Sequence, residues 1–520
     1  MQCMLAYMEP QPTDELLALR RENAELRREL DECKAALIAA NLRIVGLEAL
    51  LANLTKKVFG KSSEKMPGPK KELDKQDGVK SDPAEAQARR KKRDELRKQK
   101  AQEVKIEHAL PEAERYCPNC PDQNLKAAGT KESVIYEFVP AHFERQVHIQ
   151  QTWACPCCDY IATAPGAQRP TEGGHYGAGF MSHVVVSKCA DSIPLYRMEK
   201  QFGRIGIPMS RSTLCNLFHQ AANILEPIYQ YMQGLVLAAI IVLADETPLP
   251  VVDDKLNKTR KGYIWTFLTD EIAYYKFSPT RSGKTPSDVL GNSQGTLLAD
   301  GYTGYNVVTM PEGRERAGCW AHTRRYFFDS LKTAPAEAQH MLSEILELYR
   351  IEYEAAKINA IGTRAHTQLR KTRAPPILAR IKEWLIEQRP HHLPKSPLGK
   401  AITYALNQWE PLSHYLTDSK IPIDNNLSER RLRIVALGRK NYLFAGNDEA
   451  AQNMAILQSI ITTCEMHGVN PEAYIADVVI RVQHHNHKIP SLTILRIISQ
   501  FRRRDDTVEG RNHIRQVLLD

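Results

Sequence analysis

Long hydrophobic runs are missing from this sequence. The longest purely apolar stretch, Leu235 to Ala244, falls well short of the about 20 residues that a membrane-spanning helix needs, so no membrane segment is expected. The first residues lack a charged segment followed by an apolar one, so no export signal is read there. Low-complexity tracts are also absent, and 42% apolar with 25% charged residues is the balance of an ordinary globular chain. Eleven cysteines without an export signal point to the reducing cytoplasm, and to thiols or metal sites rather than disulfides.

What is present begins with charge. The net charge is +9, and "RRKKRDELRKQK" (89–100) alone holds eight basic and two acidic residues, hence +6. A basic surplus suits a polyanionic partner whose binding is driven by counterion release; a solvated linker helix would carry the same residues. Ahead of it, residues 16 to 54 carry a heptad pattern. The a positions are Leu16, Asn23, Leu30, Leu37, Ile44 and Leu51, and the d positions are Leu19, Leu26, Cys33, Ala40, Leu47 and Leu54. Asn23, the single Asn of the seam, is of the type that fixes register in a parallel pair, so a self-associating coiled coil, a dimer, is expected. An intramolecular helical hairpin would show the same seam.

Two Cys-x-x-Cys pairs follow, "CPNC" with Cys117 and Cys120, and "CPCC" with Cys155 and Cys158. Between them "SVIYEFVP" and "FERQVHIQQTWAC" alternate as strands of a hairpin do, so four thiolates would meet in the tetrahedral geometry of a structural zinc ribbon. Cys157 is a spare thiol able to compete as a ligand. The stretch 194–225 then reads as helix, a tight turn over Gly203 to Pro208, and a second helix capped by Ser210. That layout fits a helix-turn-helix presenting Arg211, Ser212 and Thr213 to DNA, although two helices of a linking bundle would look the same.

From residue 237 the pattern turns to strands. "AIIVLADETPLPVV", "GYIWTFLTD" and "IAYYKFSP" are strand-length apolar runs, followed by a short helix near Thr285 to Leu290 and by "GTLLAD" ending on Asp300. A helix after Gly304, a strand near "RAGCW" and a helix from Ala321 complete a mixed sheet. Residues 329 to 420 read as a helical insertion, and 424 to 486 as helical again.

Asp245 and Glu246 interrupt the first of these strands, where a lone charge would be costly to bury. If the first and fourth strands are neighbours, Asp245 and Asp300 meet at one edge. Glu429 in "DNNLSERRLR" is the best third acid, on a helix capped by Asp424 with Arg430 and Arg433 nearby. Three carboxylates offer the oxygen ligands that suit Mg²⁺ or Mn²⁺, and a metal pair can drive in-line displacement at a phosphodiester.

Eight ordered segments add a resemblance: "VFGKSSEK" (58–65), "HVVVSKCADSIPLYRMEK" (183–200), "ADET" (244–247), "LLADGYTGY" (297–305), "CWAHTRRYF" (319–327), "DNNLSERRLR" (424–433), "GRKNYLFAG" (438–446) and "TTCEMHGVNPEAY" (462–474). Together, over roughly residues 16 to 490, the chain resembles the insertion-sequence-66 family of bacterial transposases. The resemblance implies an RNase H-like core with an acidic triad mapping onto Asp245, Asp300 and Glu429, a zinc-binding segment and an N-terminal DNA-binding region. It also implies that His322, Arg324, Arg325, Arg433, Arg439 and Lys440 lie near the scissile phosphate or the transposon end, with Asn425 and Asn426 orienting the Glu429 helix. Trp320 is expected in the core. The tail 491–520 has no Trp where relatives finish on a Leu-Pro-Trp type segment, a departure that bears on activity and not on fold.

The expectation is a multidomain α+β protein: 1–66 coiled-coil dimerisation, 67–105 charged basic linker, 106–162 zinc-ribbon-like, 163–236 helix-turn-helix-like, 237–465 catalytic with a helical insertion at about 329–420, and 466–520 C-terminal helices with a diverged tail. The expected function is that of a DNA transposase acting on terminal inverted repeats and target DNA, as a homo-oligomer on the cytoplasmic nucleoid, with Mg²⁺ or Mn²⁺ and structural Zn²⁺ and with room for accessory proteins of the same element. A DNA-binding regulator with an inactive core, or a nuclease that cleaves without joining, are the rival readings.

Overall fold

The computed structural model describes residues 166–253, 258–309 and 312–484, with Glu25, 87–88, 91, 95, 116–117, 120–124, 143, 145–154 and 161–163 before them. The chain divides into two units, Met1–Ala101 and Gln102–Asp520. In the first, Glu25 and residues 87–88, 91 and 95 are helical; the expected heptad seam lies outside the described residues. The second unit holds the remaining described residues.

It opens with two small antiparallel pairs. β1 (Tyr116–Cys117) pairs with β2 (Cys120–Asn124), Cys117 facing Cys120 across the turn, and β3 (Thr152–Ala154) pairs with β4 (Ile161–Thr163). The second of the strands expected between the Cys pairs is thus confined to β3. Residues 145–151 hold no strand, and β3 pairs forward across the Cys155–Cys158 segment, so each Cys-x-x-Cys is flanked by its own two strands. Cys155, Cys158 and the stretch "SVIYEFVP" lie outside the described residues.

Three helices follow: α1 (Ala178–Cys189), α2 (Leu195–Arg204) and α3 (Arg211–Ala238). Ser210 caps α3 as expected, its Oγ accepting from the Thr213 N–H. α3 is far longer than a free recognition helix. One face of its second half is buried against the sheet and the helix Lys284–Leu290, with the Tyr229 hydroxyl donating to the Tyr275 carbonyl at 2.7 Å and Gln233 to the Asp288 carbonyl at 2.9 Å.

The sheet contains β5 (Ile241–Asp253), β6 (Lys258–Leu268), β7 (Ala273–Ser278), β8 (Thr296–Leu298) and β9 (Glu315–Ala317), in the order β7-β6-β5-β8-β9. The first three run antiparallel, and β8 and β9 continue parallel to β5. α4 (Lys284–Leu290) and a 3-10 turn over Thr303–Val308 flank β8; that turn stands where a helix after Gly304 was expected. β5 pairs with β6 from Leu243 to Asp253 but with β8 only over Ile241–Leu243. Beyond that point β5 meets no further strand on the β8 side, only a parallel bridge from Val251 to Ala445 that uses the Pro250 carbonyl and the Val252 N–H, so Pro248 and Pro250, with no N–H to offer, can sit in a long central strand.

α5 (Trp320–Ser330) leads into the insertion, α6 (Pro335–Lys357), α7 (Arg364–Gln388), α8 (Pro397–Asn407) and α9 (Trp409–Ser413), helical as expected. Acidic α6 and basic α7 are joined by Glu352–Arg370, Glu354–Arg373 and Glu344–Arg380. Buried Arg370 also donates to the carbonyls of Tyr415, Asp418 and Ile421, fastening the insertion to the chain that returns to the sheet. α10 (Asn426–Tyr442), α11 (Asp448–Met466) and α12 (Pro471–His484) close the core. α11 covers β7, its side chains accepting from the strand: the Tyr275 N–H donates to Ser459 Oγ at 2.8 Å and the Ala273 N–H to Thr463 Oγ1 at 3.1 Å. Trp320 is fully buried, as expected. No helix among the described residues is long and apolar enough to cross a membrane.

Candidate active site

The last residues matched between the parallel strands are Leu243 and Leu298. Asp245 and Asp300 each lie two positions further on. Equal offsets from a matched pair put two side chains on the same side of the pleat, and here the strands separate, so both carboxylates open into the crevice between them. Burial pushes the Asp245 carboxyl up to about 8, and the charges of Glu246, Asp300 and Glu429 act in the same direction, while the Glu246 N–H, 2.9 Å from Asp245 Oδ1, opposes them. All three charges are therefore near enough to Asp245 to act on it.

Glu429 arrives from the opposite side on the first turn of α10. The start of that helix is sewn to its neighbours: the Trp320 N–H donates to the Ile423 carbonyl, the Asn425 N–H to Cys319 Sγ at 3.2 Å, and Asn425 Nδ2 to the Ala244 carbonyl at 2.8 Å. Asp424 does not occupy the expected capping position, which belongs to Asn425, and Asn425 makes no side-chain cap. Asp424 instead accepts from the N–H and side chain of Asn426 and from the Tyr349 hydroxyl at 2.8 Å, joining α6 to α10. The side chains of Asn425 and Asn426 thus bond Ala244 and Asp424 at the start of the helix.

His322 and Arg325 on α5 face Glu429. Arg325 donates to Glu429 Oε2 at 3.2 Å, and His322 Nε2 stands 3.7 Å from Oε1. Burial holds the His322 imidazole below its ordinary pKa, against the pull of Asp300 and Glu429. Arg324 turns toward Phe328, 5.9 Å from the ring. Arg439 donates to Thr247 Oγ1 at 3.1 Å and to the Pro248 carbonyl, so it fastens α10 to the free side of β5. Arg433 and Lys440 lie on the exposed face of α10. Arg211 and Ser212 are exposed at the start of α3, and Arg211 pairs with Glu199 of α2.

Sequence reasoning left Glu246 without a role and did not find its partners. Its carboxylate, 2% exposed, pairs with Arg281 and accepts from the Tyr305 hydroxyl at 2.6 Å. Arg281 lies over the Tyr302 ring at 4.1 Å, the Tyr302 hydroxyl donates to the Arg281 carbonyl, and the Tyr302 N–H donates to Asp300 Oδ1 at 3.0 Å. This ring of contacts joins the residue after Asp245 to Asp300. Tyr302 and Tyr305 stand in the "LLADGYTGY" segment, but nothing in "SPTRSGK" marks Arg281.

The donor set fits a hard divalent cation: it is all oxygen, half-buried to buried, and Glu429 Oε1 has no hydrogen-bond partner. Among the described residues no three His, Cys, Asp or Glu side chains already stand in the arrangement of a metal site.

Comparisons with known proteins show the family. The family profile described as "Transposase IS66 family" matches residues 173–453, and that described as "zinc-finger binding domain of transposase IS66" matches residues 114–159. Uncharacterized protein y4jD of Sinorhizobium fredii is 31% identical over 385 residues, 71% of this chain and 75% of that protein. Uncharacterized protein y4hP of the same organism is 27% identical over 416 residues, covering 75% of this chain and 74% of its own length. Uncharacterized protein y4qI, also from that organism, is 29% identical over 371 residues, 68% of each chain.

Proposed function

From the premise that this chain belongs to the IS66 family of transposases, we propose that it cuts DNA at the ends of a mobile element and joins the freed 3′-hydroxyl to target DNA, with Asp245, Asp300 and Glu429 as its catalytic acids. The observation that carries this reading is the equal offset of Asp245 and Asp300 past the last matched pair of β5 and β8, with Glu429 facing them from α10. The mixed five-strand sheet suits an RNase H-like core.

Asp245, Asp300 and Glu429 would hold the divalent ions, which when bound polarise the phosphate and the attacking hydroxyl. The chain's own residues prepare the place. Asn425 sets α10 against the carbonyl preceding Asp245, Arg325 and His322 orient Glu429, and Arg281 offsets the extra charge of Glu246. Cys117, Cys120, Cys155 and Cys158 would hold a structural zinc, a closed site that contributes folding and no chemistry. The exposed start of α3, with Arg211 and Ser212, and the exposed Arg433 and Lys440 would meet DNA backbone, with Arg439 supporting through its bonds to β5 and Arg324 from its place on α5. The heptad of residues 16 to 54 would pair two protomers on two ends.

The test is Mg²⁺-dependent joining of a labelled, pre-cleaved transposon end. Asp245→Asn should bind the end and join nothing; wild-type joining by that variant would remove the enzyme reading. Release of nicked product without joined product would identify a nuclease that only cleaves.

A further inference from the structure

The rim of the acid pocket carries an aromatic pair that the proposed reaction leaves unused. Tyr326, on α5 one turn beyond His322, is 40% exposed, which is unusual for a large ring so close to buried carboxylates. Its ring packs against that of Tyr404 on α8, with centroids 4.6 Å apart and planes at 31°. Tyr404 in turn lies on the backbone of Gly301. A Cβ built at Gly301 would come within 2.7 Å of Tyr404 Cε2, so the ring is seated directly beside Asp300. The charge of Asp300 also reaches the Tyr404 phenol, which burial already holds above its ordinary pKa.

Basic groups flank the pair. Arg325 precedes Tyr326 and has its guanidinium on Glu429, and Lys400 is exposed one turn before Tyr404 on α8. Aromatic rings between cations, at the edge of a site for phosphodiester chemistry, match one ligand class best: single-stranded nucleic acid, its bases on the rings and its phosphates on the charges. Paired bases in a duplex have no free face to offer a ring.

We infer that Tyr326, backed by Tyr404, is a stacking platform for an unpaired base of the DNA strand entering the acid pocket. Tyr404 covers one side of the Tyr326 ring and restrains it, so the ring is held ready before the base arrives. Gly301 lets Tyr404 come that close. The platform takes any base, because every base has a π-face, and therefore adds affinity for an opened strand without reading sequence. The inference rests on the acid pocket's being the place of DNA chemistry, but its test does not depend on catalysis.

The experiment uses the full chain without divalent ions and a short single-stranded oligodeoxynucleotide carrying one 5-iodouracil, with the same sequence as a duplex for comparison. Ultraviolet crosslinking should attach the probe to the peptide containing Tyr326. Tyr326→Ala should lose that crosslink and bind the single strand about tenfold more weakly, with duplex binding unchanged. Tyr326→Phe should retain both the affinity and the crosslink. Tyr326→Leu, which keeps apolar bulk without a π-face, separates stacking from packing: it should match the alanine variant in binding and the wild type in thermal unfolding. Crosslinks confined to other peptides, or wild-type single-strand affinity in the alanine and leucine variants, would overturn the platform. Asp245→Asn should crosslink as the wild type does, so a failure of the catalytic reading and a failure of the platform give different results.

Discussion

Asn425 Nδ2 donates to the carbonyl of Ala244 at 2.8 Å, and both residues are fully buried. This one bond holds the first turn of α10, which carries Glu429, against the strand position immediately before Asp245. It transmits the placement of one candidate acid to another.

Replacing Asn425 should therefore cost more function than stability. Asn425→Ala leaves the Ala244 carbonyl buried without its donor, a loss of about 1–3 kcal/mol. Strand joining should fall by about tenfold to a hundredfold, the usual effect of losing a residue that orients metal ligands. Urea unfolding read beside end joining checks both; unchanged joining would show that α10 needs no such anchor.

Arg281 should matter through Glu246. Arg281→Ala strands a carboxylate that is 2% exposed and lies beside Asp245 and Asp300. Since the guanidinium is itself about half exposed, the expected destabilisation is about 1–3 kcal/mol, below that of a fully buried pair. Glu246→Gln in the Arg281→Ala background should recover much of it. A double variant as unstable as the single one would mean that Arg281 acts through something other than that charge.

The contact between His183 of α1 and Glu472 of α12, 3.0 Å apart, gives a pH-dependent fold. The hydrogen bond to Glu472 raises the His183 pKa above its ordinary value, with the charges of Glu472 and Asp191 assisting and burial opposing. A group whose folded pKa is raised stabilises the fold fully below its unfolded pKa, near 6.5, and loses that contribution as pH climbs through the folded pKa. His183→Gln should thus unfold at lower urea than the wild type near pH 5.5, with the gap closing above pH 8. A gap that widens with pH would contradict the pairing.

Zinc should separate the small domain from the core. Cys117→Ser should lose bound zinc, as measured by metal analysis of the purified protein, together with binding to the transposon end. Unfolding of the 166–484 core should be little changed, because the buried residues of its hydrophobic cluster all lie beyond the zinc segment, which packs Phe143 against it from outside. A core that melts earlier in the variant would show that the zinc segment is part of it.

Much of this molecule is legible in its sequence because the responsible physics is local. Ser210 followed by Thr213 announces a helix start, the apolar, β-branched run 239–252 announces a strand, and two Cys-x-x-Cys spacings announce paired thiols, since each depends on residues a few positions apart. The presence of buried acids in that strand was visible too. Their company was not. That Asp245 and Asp300 stand level follows from the match of Leu243 with Leu298, a register set by burying the strand faces against distant helices. That Glu246 meets Arg281, that Arg439 bonds β5, and that Tyr404 backs Tyr326 are likewise outcomes of packing between segments with no shared local pattern. Local preference chose the elements; long-range burial chose their neighbours, and the site exists only among neighbours.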